Sequence, residues 1–127
     1  VWVLAHATGV TGAPVWTQLM PGGGGPGVRF GHKAVYDPDT NRMIVFGGDG
    51  LNACTSPSHP AFNDIWILTN ANGLGGAPQW LPLATGGTPP ARRVGAHAVY
   101  DQVSNRLMVF GGNLSEGNCF QATNDYW

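Results

Sequence analysis

Residues 29–50 read RFGHKAVYDPDTNRMIVFGGDG, and residues 93–114 read RVGAHAVYDQVSNRLMVFGGNL. The offset is 64 with no gap, and 12 of 22 positions are identical. Working outward, VWVLAHATGVTGAPVWTQL at 1–19 matches IWILTNANGLGGAPQWLPL at 65–83 with the same offset of 64. Asn63-Asp64-Ile65-Trp66 matches Asn124-Asp125-Tyr126-Trp127 at an offset of 61, so the second copy loses three residues after its double glycine. Self-similarity at a fixed period is the mark of a repeat architecture.

Each copy predicts four strands. The first runs from Gly31 to Tyr36 and again from Gly95 to Tyr100; the second from Arg42 to Phe46 and from Arg106 to Phe110. The third is Asp64 to Leu68, matched by Val1 to Leu4 and begun again at Asp125 to Trp127; the fourth is Trp16 to Leu19 and Trp80 to Leu83. Asp37-Pro38-Asp39-Thr40-Asn41 and Asp101-Gln102-Val103-Ser104-Asn105 join the first two strands. Asp opening and Asn closing suit a type I turn that ends in a left-handed residue. Met43-Ile44-Val45-Phe46 is apolar at every position, which predicts a strand buried on both faces between neighbouring sheets. No window carries a sustained 3.6-residue period, so no helix is predicted.

Composition narrows the class. Six Lys and Arg against seven Asp and Glu give a net charge of −1, with one lysine, Lys33. A nucleic-acid surface would cluster Lys and Arg, and nothing here does. Gly (20) and Pro (10) are abundant, but 43% hydrophobic residues and five Trp point to a folded all-β chain. No apolar run is long enough for a membrane helix.

The combined pattern resembles the kelch repeat. Its residues are Met43-Ile44-Val45-Phe46-Gly47-Gly48, then Asn63-Asp64-Ile65-Trp66, then Trp80. In the second copy they are Leu107-Met108-Val109-Phe110-Gly111-Gly112, then Asn124-Asp125-Tyr126-Trp127, with Trp2 and Trp16 in the N-terminal strand pair. The opening Arg29-Phe30-Gly31-His32 becomes Arg93-Val94-Gly95-Ala96, with His97 one place late and so facing the other side of its strand. The resemblance implies an all-β, kelch-type β-propeller with blades of four antiparallel strands, two blades' worth in this chain. It divides the chain into strands three and four of a split blade (1–28), a complete blade (29–84), and strands one, two and the start of three of the next (85–127). The repeat exceeds the usual ~50 residues; its excess lies in 49–62 and 69–78, and the long connections are similar to those of bacterial kelch proteins. The family binds protein or carbohydrate in most members, while some members are copper oxidases. No matching Tyr, His and Cys set stands here, and no cofactor is expected.

A propeller needs about four to eight blades. Two blades' worth of strands therefore predicts either further blades in a longer chain or a homo-oligomer, joined head to tail into a ring or a filament.

Gly47, Gly48, Gly111 and Gly112 follow a strand with no helix after them, which favours a sharp backbone exit over a phosphate cradle. Arg29 and Arg93, like Arg42 and Arg106, recur in both copies and are expected to bond carbonyls between blades. Asp64 and Asp125 recur also, and are expected to bond a nearby turn. His6, His32, His59 and His97 lack ligand spacing, so no metal site is predicted. Cys54 and Cys119 occupy equivalent positions and are candidates for a disulfide. The copies differ most in 49–62 and 113–123. These carry the candidate binding residues Asp49, Asn52, Thr55, Ser58 and His59, then Asn113, Glu116 and Asn118. Asn113-Leu114-Ser115 fits the N-glycosylation triplet.

The functional expectation is a non-catalytic, extracellular module that binds or scaffolds protein or glycan, without nucleic acid or membrane contact. The two loop cysteines and low charge suggest export. The alternatives are a structural unit of a filament or surface layer, and a piece of an enzyme whose site lies in other blades.

Overall fold

The computed structural model describes residues 1–50, 61–114 and 121–127. Every element among them is a strand. In chain order they are β1 (Trp2–Ala5), β2 (Val15–Gln18), β3 (Lys33–Asp37), β4 (Arg42–Gly48), β5 (Phe62–Thr69), β6 (Trp80–Pro82), β7 (Arg93–Val94), β8 (His97–Asp101), β9 (Arg106–Phe110), β10 (Asn113–Leu114) and β11 (Gln121–Ala122).

One four-stranded antiparallel sheet, ordered β3-β4-β5-β6, is the full blade. β1 and β2 pair as a hairpin, and so do β8 and β9. The sequence repeat is a structural repeat down to register. Lys33 faces Phe46 and Asp37 faces Arg42, just as His97 faces Phe110 and Asp101 faces Arg106. Trp66, Ile67 and Leu68 face Pro82, Leu81 and Trp80, as Trp2, Val3 and Leu4 face Gln18, Thr17 and Trp16.

The turns show why. Asn41 and Asn105 each sit at φ 53°, and Asn tolerates that left-handed region better than other side-chained residues. The Asp37 carboxylate accepts from the Asp39 N–H (3.2 Å) and the Thr40 hydroxyl; Asp101 accepts from the Val103 N–H (3.0 Å) and the Ser104 hydroxyl. Tyr36 and Tyr100 then donate to the Asn41 and Asn105 side chains, at 3.2 and 2.9 Å. These local bonds close each hairpin in one register.

The core lies between the two sheets. Phe46, Ala96 and Val109 are buried together, with Ile65, Ala98 and Leu107 packed around them. Polar bonds also cross, from the Gly95 N–H to the Gly31 carbonyl (2.8 Å) and from the Asn63 amide to the Pro90 carbonyl (3.0 Å). β4 becomes fully buried from Val45 onward, but β9 does not: Met108 and Phe110 remain about half exposed. No described strand covers the outer face of β9, so burial on both faces holds for the first copy alone.

A second departure is a small sheet ordered β11-β10-β7. Asn113, expected in a loop, is a strand residue paired with Val94 and Ala122. Its counterpart Asp49 exchanges both backbone hydrogen bonds with Phe30, each 2.9 Å. Apolar patterning cannot reveal these two-residue strands, because they are too short to show alternation.

Candidate functional site

Two identical polar constellations brace the blades. Arg29 forms a fork-to-fork pair with Asp64, at 2.6 and 3.0 Å, and donates to the Gly47 carbonyl at 3.0 Å and the Gly27 carbonyl at 3.2 Å. Arg93 repeats this with Asp125 (2.8 and 2.8 Å), Gly111 (2.9 Å) and Ala91 (3.0 Å). The indoles of Trp66 and Trp127 donate to the same carboxylates at 2.7 and 2.8 Å. Planar guanidinium matches carboxylate in this bidentate way where lysine would not. Each clamp ties the entry to the first strand, the exit of the second and the start of the third.

Arg29 bonds the carbonyls of Gly27 and Gly47 and Arg93 those of Ala91 and Gly111, but the main partner of each is a carboxylate. Asp64 and Asp125 accept from Arg and Trp, and Asp125 also accepts locally from the Thr123 hydroxyl. These residues are near in space and distant in sequence, so recurrence singled them out without naming their partners.

The clamps also fix the charge of the carboxylates. Burial alone would raise Asp64, but hydrogen bonds from Arg29 and Trp66 outweigh it and hold the carboxyl below its ordinary range. Hydrogen bonds from Arg93, Thr123 and Trp127 do the same to Asp125. A carboxylate held ionised and saturated with donors is a poor proton shuttle; these groups are scaffold.

The double glycines stand where the clamps need them. Gly48 has φ 99°, and a Cβ there would lie 2.9 Å from the Phe30 carbonyl and 2.9 Å from the His32 Cβ. Gly112 has φ 100° and would meet the Ala96 nitrogen and the Val94 carbonyl, each at 3.0 Å. Gly47 approaches the next blade, with the Arg93 carbonyl 3.0 Å from its would-be Cβ.

Between the blades runs a groove of about 540 Å³, lined by the apolar Ile44, Ile67 and Leu107 and by the polar Asp39, Arg42 and Tyr100. Burial raises the Tyr100 hydroxyl above its ordinary pKa, and the neighbouring Asp37, then Asp39 and Asp101, add to the effect. Among the described residues no three His, Cys, Asp or Glu side chains converge as a metal site would require. A groove lined by apolar and polar side chains together can hold a strand or side chain.

The domain described as KLHDC2/KLHL20/DRC7 Kelch-repeats matches residues 10–127 of the chain. The chain belongs to the kelch-repeat family. Dynein regulatory complex subunit 7 of the alga Chlamydomonas reinhardtii is 31% identical over 102 residues. That match covers 80% of this chain and 8% of that protein. Kelch repeats are the blades of a β-propeller protein-interaction module.

Within these kelch blades the other singled-out residues fall into three groups. Trp66 and Trp80 are half-buried, whereas Trp2 and Trp16 are 59% and 62% exposed. Asp49 is buried, at 3% exposure. Asn52, Cys54, Thr55, Ser58, His59, Glu116, Asn118 and Cys119 lie outside the described residues, and with them the disulfide on which the extracellular expectation leaned. The strap Pro21–Pro26 escaped the sequence reading. It lies along β6, with the Trp80 N–H donating to the Gly22 carbonyl at 2.9 Å. Its signal was the run of four glycines beside Trp80: a Cβ on Gly23 would sit 2.1 Å from the Trp80 carbonyl.

Proposed function

We propose that this chain is the non-catalytic, protein-binding part of a kelch propeller. Its specificity resides at the end of the blades from which residues 51–60 and 115–120 depart. One observation carries the reading. The scaffold is duplicated clamp for clamp and register for register, while the sequence of these two segments is not. A repeated feature serves the fold, and a feature that breaks the repeat is free to recognise something. Both segments follow a double glycine whose position is set by an Arg-Asp clamp, so they leave a rigid base. The algal relative's name makes it a subunit of a regulatory complex, which supports a protein subunit of a larger assembly as the partner.

The test replaces Asn52, Thr55, His59, Glu116 and Asn118 with alanine together, in the natural full-length protein. The expected result is an unchanged melting temperature and at least tenfold weaker capture of the co-purifying partner. Unchanged capture overturns the assignment of the binding end. A turnover of substrate that survives partner removal would overturn the non-catalytic reading.

A further inference from the structure

Inside the complete blade, the connection from β5 to β6 opens on a tight turn at residues 70–73. The Gly73 N–H reaches back to the Asn70 carbonyl at 2.9 Å. The connection from β1 to β2 opens on the same turn, with the Gly9 N–H bonded to the His6 carbonyl at 2.9 Å. Gly73 and Gly9 sit at φ 82° and 70°, where a side chain is strained, so both copies keep glycine there. The residue before it differs: Asn72 stands where the other copy has Thr8. The turn therefore forms without an amide at this place, and Asn72-Gly73 is the chain's one Asn-Gly pair.

An asparagine before glycine carries a reaction of its own. The backbone nitrogen that follows can attack the side-chain Cγ, and glycine has no side chain to obstruct it. Asn72 and Gly73 are both exposed to water. The Asn72 amide nitrogen, the group that would leave, has no hydrogen-bond partner among the described residues, because the bonds to this side chain fall on Oδ1.

The turn decides when the reaction can start. A hydrogen-bonded turn sets ψ of its third residue near 0°, whereas closing the ring needs Cβ of Asn72 eclipsed with the Gly73 nitrogen, at a ψ of about −120°. The turn must open first, and Asn41 on the neighbouring hairpin holds it shut. The Asn41 amide donates to the Asn72 Oδ1 at 2.7 Å and to the Leu74 carbonyl at 2.9 Å, and its Oδ1 accepts from the Asn72 N–H at 3.0 Å. One side chain thus grips the turn on both sides of the bond that has to rotate.

We propose that Asn72 is a site of spontaneous deamidation, latched by Asn41. When the turn opens, the Gly73 nitrogen gives up its proton and bonds to Cγ. The Cγ–Nδ2 bond breaks, ammonia leaves, and a cyclic imide forms. Water then opens the imide at either carbonyl, giving aspartate or isoaspartate with no other reactant. Aspartate keeps the acceptor that Asn41 and the Leu74 N–H use. Isoaspartate lengthens the main chain at 72 and draws its N–H off Asn41, which loosens the tie between the β3–β4 turn and the β5–β6 connection. The site stands at the turn end of the blade, apart from the end proposed above for partner binding, so the two readings fail separately.

The experiment incubates the natural full-length protein in mildly alkaline buffer and follows each asparagine by peptide mass mapping. The expected result is an amide-to-acid mass change at residue 72 ahead of every other asparagine in residues 1–127, with isoaspartate among the products. Asn41→Ala should speed it by about fivefold or more, the factor that one ordinary hydrogen bond supplies. Asn41→Gly, which suits the left-handed backbone at 41, should speed it equally with less loss of stability. Gly48→Ala weakens the fold at the other end of β4 with the latch intact, and should leave the rate unchanged. Conversion of other asparagines while Asn72 stays intact overturns the site. An unchanged rate in both Asn41 variants, or an equal rise in Gly48→Ala, overturns the latch.

Discussion

Substituting Arg29 with methionine isolates the energetic role of the clamp, because methionine keeps most of the side-chain stem and removes the charged fork. The Arg29 side chain is 5% exposed and that of Asp64 is 37% exposed. The variant loses two charge-assisted bonds to Asp64, the bonds to the Gly47 and Gly27 carbonyls, and the stacking of the guanidinium 4.2 Å from the Phe62 ring centre. Breaking a buried pair by deleting one partner costs about 3–5 kcal/mol. Asp64 reaches water and keeps its Trp66 donor, which moves the loss to the bottom of that range. The expected loss is thus about 3 kcal/mol, or about 10 °C in melting temperature for a chain of this size. Urea unfolding followed by tryptophan fluorescence reads it directly. Arg29→Lys restores charge without the fork and should recover less than half. A loss below about 1 kcal/mol for Arg29→Met would refute the clamp as a brace and reduce it to an ordinary surface pair.

Gly48→Ala should destabilise by more than Gly24→Ala, since both have positive φ but only Gly48 has backbone within 3.0 Å of a new Cβ; thermal melts of the two compare them, and equal losses would contradict the packing argument. Asn41→Ala should cost about 1–2 kcal/mol, from a left-handed backbone and four lost bonds, two with Asn72 and one each with Leu74 and Tyr36, while Asn41→Gly should cost less in the same denaturation series. Acid should act through the clamps. Asp64 and Asp125 are depressed in the folded chain, so the stability they add is present above the unfolded pKa of ~3.9 and is lost as pH falls through the folded values. The urea midpoint should change little from these groups between pH 7 and 5 and fall below about pH 4, with a shallower fall for Arg29→Met.

The strand plan was legible because its period of 64 residues repeats turn chemistry as well as apolar pattern. Asp37 to Asn41 and Asp101 to Asn105 announce the same hairpin twice, and a hairpin is a local event. The clamps were half legible: Arg29, Asp64 and Trp66 stood out by recurrence, but a pairing across 35 residues depends on where the Gly47 exit aims the chain. Asp49 was misplaced for a similar reason. It follows a double glycine and looks like loop, yet its backbone completes a bridge to Phe30 that buries it. Asn113 was misplaced by the same bridge one repeat later, widened into β10. The strap over Trp80 was missed because glycine carries no side chain to pattern; its message is the space that it leaves for the indole.

The central claim is that recognition sits at the end of the blades where the repeat breaks, and not at the repeated turns opposite. Site-specific photo-crosslinking in the full-length protein tests it directly. A photoreactive residue at Thr55 or Asn118 is compared with one at Val103, which is 98% exposed in the β8–β9 turn at the other end of the strands. The account predicts covalent capture of the partner from 55 and 118 and none from 103. Capture from 103 with silence at 55 and 118 would contradict it.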